Sequence, residues 1–102
     1  VLVGCGGPQV VSLDDLAFDG ERHEGSQVVT VGTVVEFTED DGALERHLVI
    51  EDAAQNRVRL VPLETAEPFI GADIEVTGRY VFEPTRGRTI EVDEIREARA
   101  GG

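Results

Sequence analysis

The longest run of strand-forming residues is Val28-Val29-Thr30-Val31-Gly32-Thr33-Val34-Val35-Glu36-Phe37, where only Gly32 and Glu36 are neither β-branched nor aromatic. Such side chains fit a pleated, half-buried surface. A lone glycine inside a strand marks a bulge, a sharp bend or a close backbone approach. A first strand bent there can serve both layers of a small barrel. Downstream, 44–51 alternates, with Leu44, Leu48 and Ile50 on one face and Glu45, His47, Val49 and Glu51 on the other. Arg57 to Val61 turns Val58 and Leu60 inward and both arginines outward, and Pro62 closes the strand. Asp73 to Phe82 puts Ile74, Val76, Tyr80 and Phe82 on one face, and Thr89 to Asp93 returns with Ile90 and Val92 inward. The predicted interior is therefore Val31, Leu48, Ile50, Val58, Leu60, Ile74, Val76, Ile90 and Val92, with Phe37, Tyr80 and Phe82 also facing the core.

The segments between these strands are short. Asp41-Gly42 and the stretch 52–56 read as turns, and 83–88 as a hairpin loop. The connection from Leu63 to Ala72 has room for one helical turn, with Phe69 and Ile70 as core plugs. Before the first strand, Ser12 caps a short helix, Asp15 takes the capping-box position, and Leu13, Leu16 and Phe18 pack together. The expected organisation is a flexible tether over 1–11, a short helix and loop over 12–26, a barrel over 27–96 and a disordered tail over 97–102. No internal repeat or second domain is visible.

Five short strands, the first bent at a glycine, with a long connection between the third and fourth, resemble the OB-fold. The marks are Val31-Gly32-Thr33-Val34, Leu48-Val49-Ile50-Glu51-Asp52, and Gly71 ahead of Val76-Thr77-Gly78. The expected fold is thus all-β, a five-stranded Greek-key barrel with a short N-terminal helix. The helix followed by Glu24-Gly25-Ser26-Gln27 is also similar to a branch of small bacterial and archaeal OB-fold lipoproteins of unassigned function. The connection between strands three and four departs from the pattern, being shorter than the helix many OB-folds carry there.

Charge narrows the field of partners. With 21 acidic residues against nine basic ones, all arginine, the formal charge is −12. A surface of that sign keeps a chain soluble and repels nucleic acid and anionic lipid headgroups. Acidity without lysine also resembles proteins of salt-loving or high-GC organisms. One cysteine cannot form an internal disulfide. Leu2-Val3-Gly4-Cys5 resembles the lipobox of bacterial and archaeal lipoproteins, and the resemblance implies that Cys5 carries a lipid. Only Val1 and Leu2 stand where the apolar core of a signal would end.

Catalytic patterns are missing: no Gly-rich phosphate loop, no nucleophile elbow and no zinc-binding His-Glu-Xaa-Xaa-His helix. No enzyme, cofactor or metal is expected. His47 beside Glu45 reads as a surface histidine paired to an acid, and His23 lies in the loop before the first strand. An OB-fold uses the outer face of its second and third strands, flanked by the first and last hairpins. On that face His47, Arg57 and Arg59, overhung by Arg86 and Arg88, are the candidate ligand-binding residues. The competing reading pairs Arg57 and Arg59 with Glu91 and Asp93 across strands.

The sequence thus predicts a monomeric, non-enzymatic binding module outside the cytoplasm, held to the membrane by a lipid on Cys5, taking a small ligand or an envelope protein. The alternative is a cytoplasmic single-strand nucleic-acid module from a high-salt organism. The core-facing placement of the aromatics disfavours nucleic acid, which needs exposed stacking platforms.

Overall fold

A computed structural model describes residues 9–38, 46–84 and 87–98. In chain order it contains β1 (Gln9–Val10), α1 (Leu13–Asp19), a 3-10 turn (Gly20–His23), β2 (Gln27–Thr38), β3 (Arg46–Glu51), β4 (Arg57–Val61), α2 (Leu63–Ala66), a second 3-10 turn (Glu67–Phe69), β5 (Asp73–Glu83) and β6 (Gly87–Glu97). The sheet runs β2-β3-β4-β6-β5, and β5 returns to pair with β2. All pairs in this ring are antiparallel except β4 with β6. The result is an all-β, five-stranded barrel with OB-fold connectivity.

β2 is the shared strand. Gln27 to Thr33 pair with β5, and Thr33 to Thr38 pair with β3, so the strand changes partner beside Gly32. A Cβ on Gly32 would stand 2.7 Å from Ile50 Cγ1 and 2.8 Å from the Glu51 carbonyl oxygen. Close backbone approach is therefore what this glycine supplies.

The interior contains Leu48, Ile50, Val58, Leu60, Ile74, Val76, Tyr80 and Ile90 as expected, with Val92 partly buried against them. Val31 is a correction: it is 56% exposed, while Val28, Thr30 and Val34 point inward. β-branched residues occupy both faces of β2, so their pattern does not select between registers one residue apart. The parity that turns Val31 outward also turns Phe37 outward. Phe82 has inward parity, but β5 pairs with β2 only as far as Arg79, so Phe82 lies on a two-stranded extension with no opposing layer. Both rings are exposed.

The N-terminal segment caps one end of the barrel. Ser12 accepts a hydrogen bond from the Asp15 N–H at 3.0 Å, as an N-cap should. Leu13 and Leu16 are buried, but Phe18 is 80% exposed. Residues two apart on a helix do not share a face, so Phe18 cannot follow Leu16 inward. Residues 9–11 do not behave as tether. Gln9 and Val10 pair in parallel with Val28 and Val29, and the Val11 side chain is buried in the core. Val11 also donates its N–H to the Val29 carbonyl at 2.9 Å. Ile70 is exposed while Phe69 packs on the core, because the 3-10 turn can bury only one of two adjacent side chains. At the other end β6 continues to Glu97, and the Ala98 N–H donates to Asp73 at 2.9 Å.

Three substitutions test this register. Val76→Asp buries an unpaired carboxylate and should unfold the domain, since that costs several kcal/mol. Val31→Ser should cost less than about 1 kcal/mol in a denaturant titration, as an exposed strand position. Thr30 is buried and its hydroxyl lacks a hydrogen-bond partner among the described residues, so Thr30→Val should raise stability by about 1 kcal/mol.

Candidate ligand groove on the outer face of the barrel

The outer face of β3 and β4 carries His47, Val49, Arg57 and Arg59, because the inward positions are Leu48, Ile50, Val58 and Leu60. Cross-strand register sets the neighbours. Phe37 on β2 lies beside His47, Val49 beside Arg59, and Arg59 beside Thr89 on β6. Phe82 on β5 lies beside Arg88 on β6. Together Phe37, His47, Val49, Arg57, Arg59, Phe82, Gly87 and Arg88 line a groove of about 370 Å³.

Its floor is closely packed although it lies on the outside of the sheet. His47 is 6% exposed, and Val49 and Thr89 are buried too. His47 is therefore buried, not the surface histidine that the sequence suggests. Arg59 Nη2 lies 3.1 Å from His47 Nε2. A guanidinium can only donate, so Nε2 accepts and the ring proton belongs on Nδ1. This contact packs the long arginine side chain over the histidine and holds its head at the groove.

The cations differ in how they are held. Arg57 Nε donates to Glu51 Oε2 at 2.6 Å, and its guanidinium carbon stands 6.0 Å from the centre of the Phe37 ring. That ring contact is at the outer limit of a cation–π interaction. Arg59 and Arg88 have no carboxylate partner among the described residues. Pairing of Arg57 and Arg59 with Glu91 and Asp93 does not occur. Arg57 lies beside Glu51 in the β3–β4 register, and Asp93 instead accepts from the Gln27 side chain. The groove thus concentrates guanidinium groups on an otherwise acidic chain.

The β3–β4 turn sets the register of these arginines. Asp52 accepts from the Ala54 N–H at 3.0 Å, and from the Asn56 N–H and Asn56 Nδ2 at 2.9 Å each. Gln55, at φ 69°, completes the reversal in a left-handed conformation that non-glycine residues seldom adopt.

Of the residues singled out in the sequence, the structure brings His47, Arg57, Arg59 and Arg88 to one groove. Arg86, Glu45 and Cys5 lie outside the described residues. Sequence reading missed Phe37 and Phe82 as groove walls. For Phe37 the available signal was parity: with Gly32 taken as an inward position, Phe37 falls on the opposite face. No group of three or more His, Cys, Asp or Glu side chains is gathered as metal ligands among the described residues.

The fold and groove together define an OB-fold module with a basic, aromatic-walled groove on its outer face. No protein-family model matches the chain, and no curated protein matches it. Among solved structures it is similar to a protein assigned as an aspartyl-tRNA synthetase from Leishmania major Friedlin, at 10% identity and a TM-score of 0.60. That match covers 95% of this chain but only 22% of the Leishmania chain, so this chain spans about a fifth of that chain's length. The second OB-fold domain of replication protein A from Methanococcus maripaludis also matches, at 22% identity and a TM-score of 0.48 over 72% of this chain and 85% of that one. At such identities the likeness concerns the fold alone.

The Asp52 turn makes a pH prediction. The Asn56 side-chain amide holds the Asp52 carboxyl below the ordinary carboxylate range, aided by the Asn56 and Ala54 N–H groups and opposed by desolvation. A lowered folded value stabilises the fold above the unfolded value of about 3.9 and loses that contribution as pH falls through the folded value. Thermal melts from neutral pH down to about pH 3 should show wild type losing more melting temperature than Asp52→Asn, which lacks this proton linkage.

Proposed function

We propose that the protein is a non-enzymatic binding module whose outer-face groove takes a small anionic ligand carrying a flat ring. The observation that supports this reading is the groove itself: Arg57, Arg59 and Arg88 over buried His47 and Val49, between exposed Phe37 and Phe82. Guanidinium groups offer planar, bidentate donors to a carboxylate or phosphate. Phenyl rings at the groove wall offer a face on which a ring can stack. The Arg57–Glu51 pair is an exposed one worth about 0–1 kcal/mol, so a ligand can take Arg57 over at little cost.

A second reading, single-stranded nucleic acid, gains from one specific observation. Phe37 and Phe82 are exposed at the groove rather than buried, which supplies stacking platforms of the kind such ligands use. The formal charge of −12 weighs against a polyanion. A small anion meets the local field of the arginines and little of the distant acidic surface, and that difference favours the first reading.

The lipid-anchored location belongs to the same proposal and rests on Leu2-Val3-Gly4-Cys5. Cys5 precedes β1, which starts at Gln9, by four residues, a reach of at most about 14 Å. A lipid there would hold the barrel close to the headgroups.

Calorimetric titration with a nucleoside monophosphate, inorganic phosphate and a short oligothymidylate, at low and moderate salt, tests the ligand class. The nucleotide should bind best, Arg57→Ala/Arg59→Ala should weaken it by about tenfold or more, and the oligonucleotide should not bind at moderate salt. Micromolar, salt-sensitive oligonucleotide binding abolished by the double substitution would establish the second reading instead. No binding by any probe, with only a small stability loss in the double variant, would reduce the arginines to structural residues. For the anchor, the full gene expressed in a host with lipoprotein processing should yield a lipid-modified, membrane-fractionating product, and Cys5→Ser should not. Identical mass and fractionation of the two would rule the anchor out.

A further inference from the structure

A second groove of about 340 Å³ lies where α1 and the first 3-10 turn cap the barrel. Phe18, 80% exposed, forms one wall and Phe82, 54% exposed, the other. Large exposed rings beside a concavity mark an interaction site more often than scattered surface residues do. Glu21 and Glu24 stand on the rim, with no side-chain partner for either among the described residues. Asp19, also on the rim, is already paired with Arg22 at 2.8 Å.

The groove floor holds the more telling group. Tyr80 is 1% exposed, yet it lines the groove and its hydroxyl makes no hydrogen bond among the described residues. The hydroxyl sits where Gly20 leaves room: a Cβ on that glycine would be 2.6 Å from it. Burial raises the Tyr80 phenol above its ordinary range, with Arg88 drawing it down and Glu24 pushing it up, so both charges act at the ring. The hydroxyl thus opens onto the groove floor beside the acidic rim, where a polar group from outside the chain can reach it.

We propose that this second groove docks a segment of a protein partner that carries a large apolar side chain beside an arginine or lysine. The apolar side chain fits between Phe18 and Phe82, the cation meets Glu24 and Glu21, and a backbone or side-chain polar group hydrogen-bonds the Tyr80 hydroxyl. Charge selects this occupant over others. A second copy of the chain carries the same −12, and a polyanion would meet the Glu21 and Glu24 carboxylates first. A basic partner is attracted by both the rim and the whole acidic surface. The site is separate from the groove over β3 and β4, and shares with it only the wall formed by Phe82 and Arg88.

The test uses the intact protein and capped tetrapeptides of sequence Leu-Arg-Leu-Arg, Leu-Gln-Leu-Gln and Leu-Glu-Leu-Glu, followed by amide chemical shifts. The arginine peptide should produce saturable shifts at residues 16–24 and 80–82, weakening with salt, and the other two peptides should not. Glu24→Gln and Phe18→Ser, both at exposed positions, should each weaken binding about tenfold, and Tyr80→Phe about threefold, with the fold intact. Arg57→Ala/Arg59→Ala should leave this binding unchanged, which separates its failure from failure of the outer-face groove. The proposal is overturned by absence of saturable shifts up to millimolar peptide, by equal shifts with the glutamine peptide, or by binding indifferent to Glu24→Gln and Phe18→Ser. Concentration-dependent self-association lost in Phe18→Ser would overturn it too, since the groove would then be covered by a second copy.

Discussion

Everything in this barrel depends on how closely the β3 backbone approaches β2 at Gly32. The Glu51 carbonyl and the Ile50 side chain occupy the space that any side chain at position 32 would need, and Leu13 from α1 closes it from the other side. Because the strands meet there, β2 can leave β5 and take up β3 within one residue, and the sheet closes on itself. The same contact joins the N-terminal cap to the barrel wall. Closure also removes most free strand edges, and β1 covers part of what remains by pairing with Val28 and Val29.

Closure has a consequence on the outside. Strands in a tight ring carry alternate side chains outward, so β3, β4 and β6 bring His47, Val49, Arg57, Arg59 and Arg88 to one strip without any of them being needed in the core. The strip is basic although the chain is acidic because, apart from Glu51 on Arg57, the acidic partners of arginines among the described residues are placed elsewhere. Glu36 and Glu67 hold Arg46, Asp19 holds Arg22, and Glu75 and Glu94 hold Arg96. Arg59, packed on a histidine, has no carboxylate partner among the described residues and stands over a closely packed floor, where attraction to an anion is stronger than at a fully solvated position.

The N-terminal cap shapes the other end. α1 must bury Leu13 and Leu16, and in doing so it presents Phe18 to solvent. The β5–β6 hairpin runs past the end of β2, and Phe82 is exposed for lack of an opposing layer. Two unrelated geometric facts therefore place two phenyl rings around one concavity floored by Tyr80.

Alternation by itself determined strands β2 to β6, the inward residues of β3 to β6 other than Phe82, and the outward arginines, because period-two patterning is local and each of β3 to β6 has one clearly apolar face. Capping-box spacing placed the cap at Ser12. Alternation did not determine the facing of β2, where valines and threonines occupy both sides and a shift of one residue changes nothing in composition while reversing Val31 and Phe37. It did not reveal that residues 9–11 dock on the barrel, since three residues carry no period. Nor could it separate a hydrophobic residue that has a facing layer from one that does not. Tyr80 and Phe82 share a face of one strand, yet the first is buried and the second exposed, because only the path of β2 decides where the barrel stops. The basic residues of the candidate groove were thus legible from residue types and spacing, whereas its aromatic walls and the whole of the second groove exist only in the closed barrel.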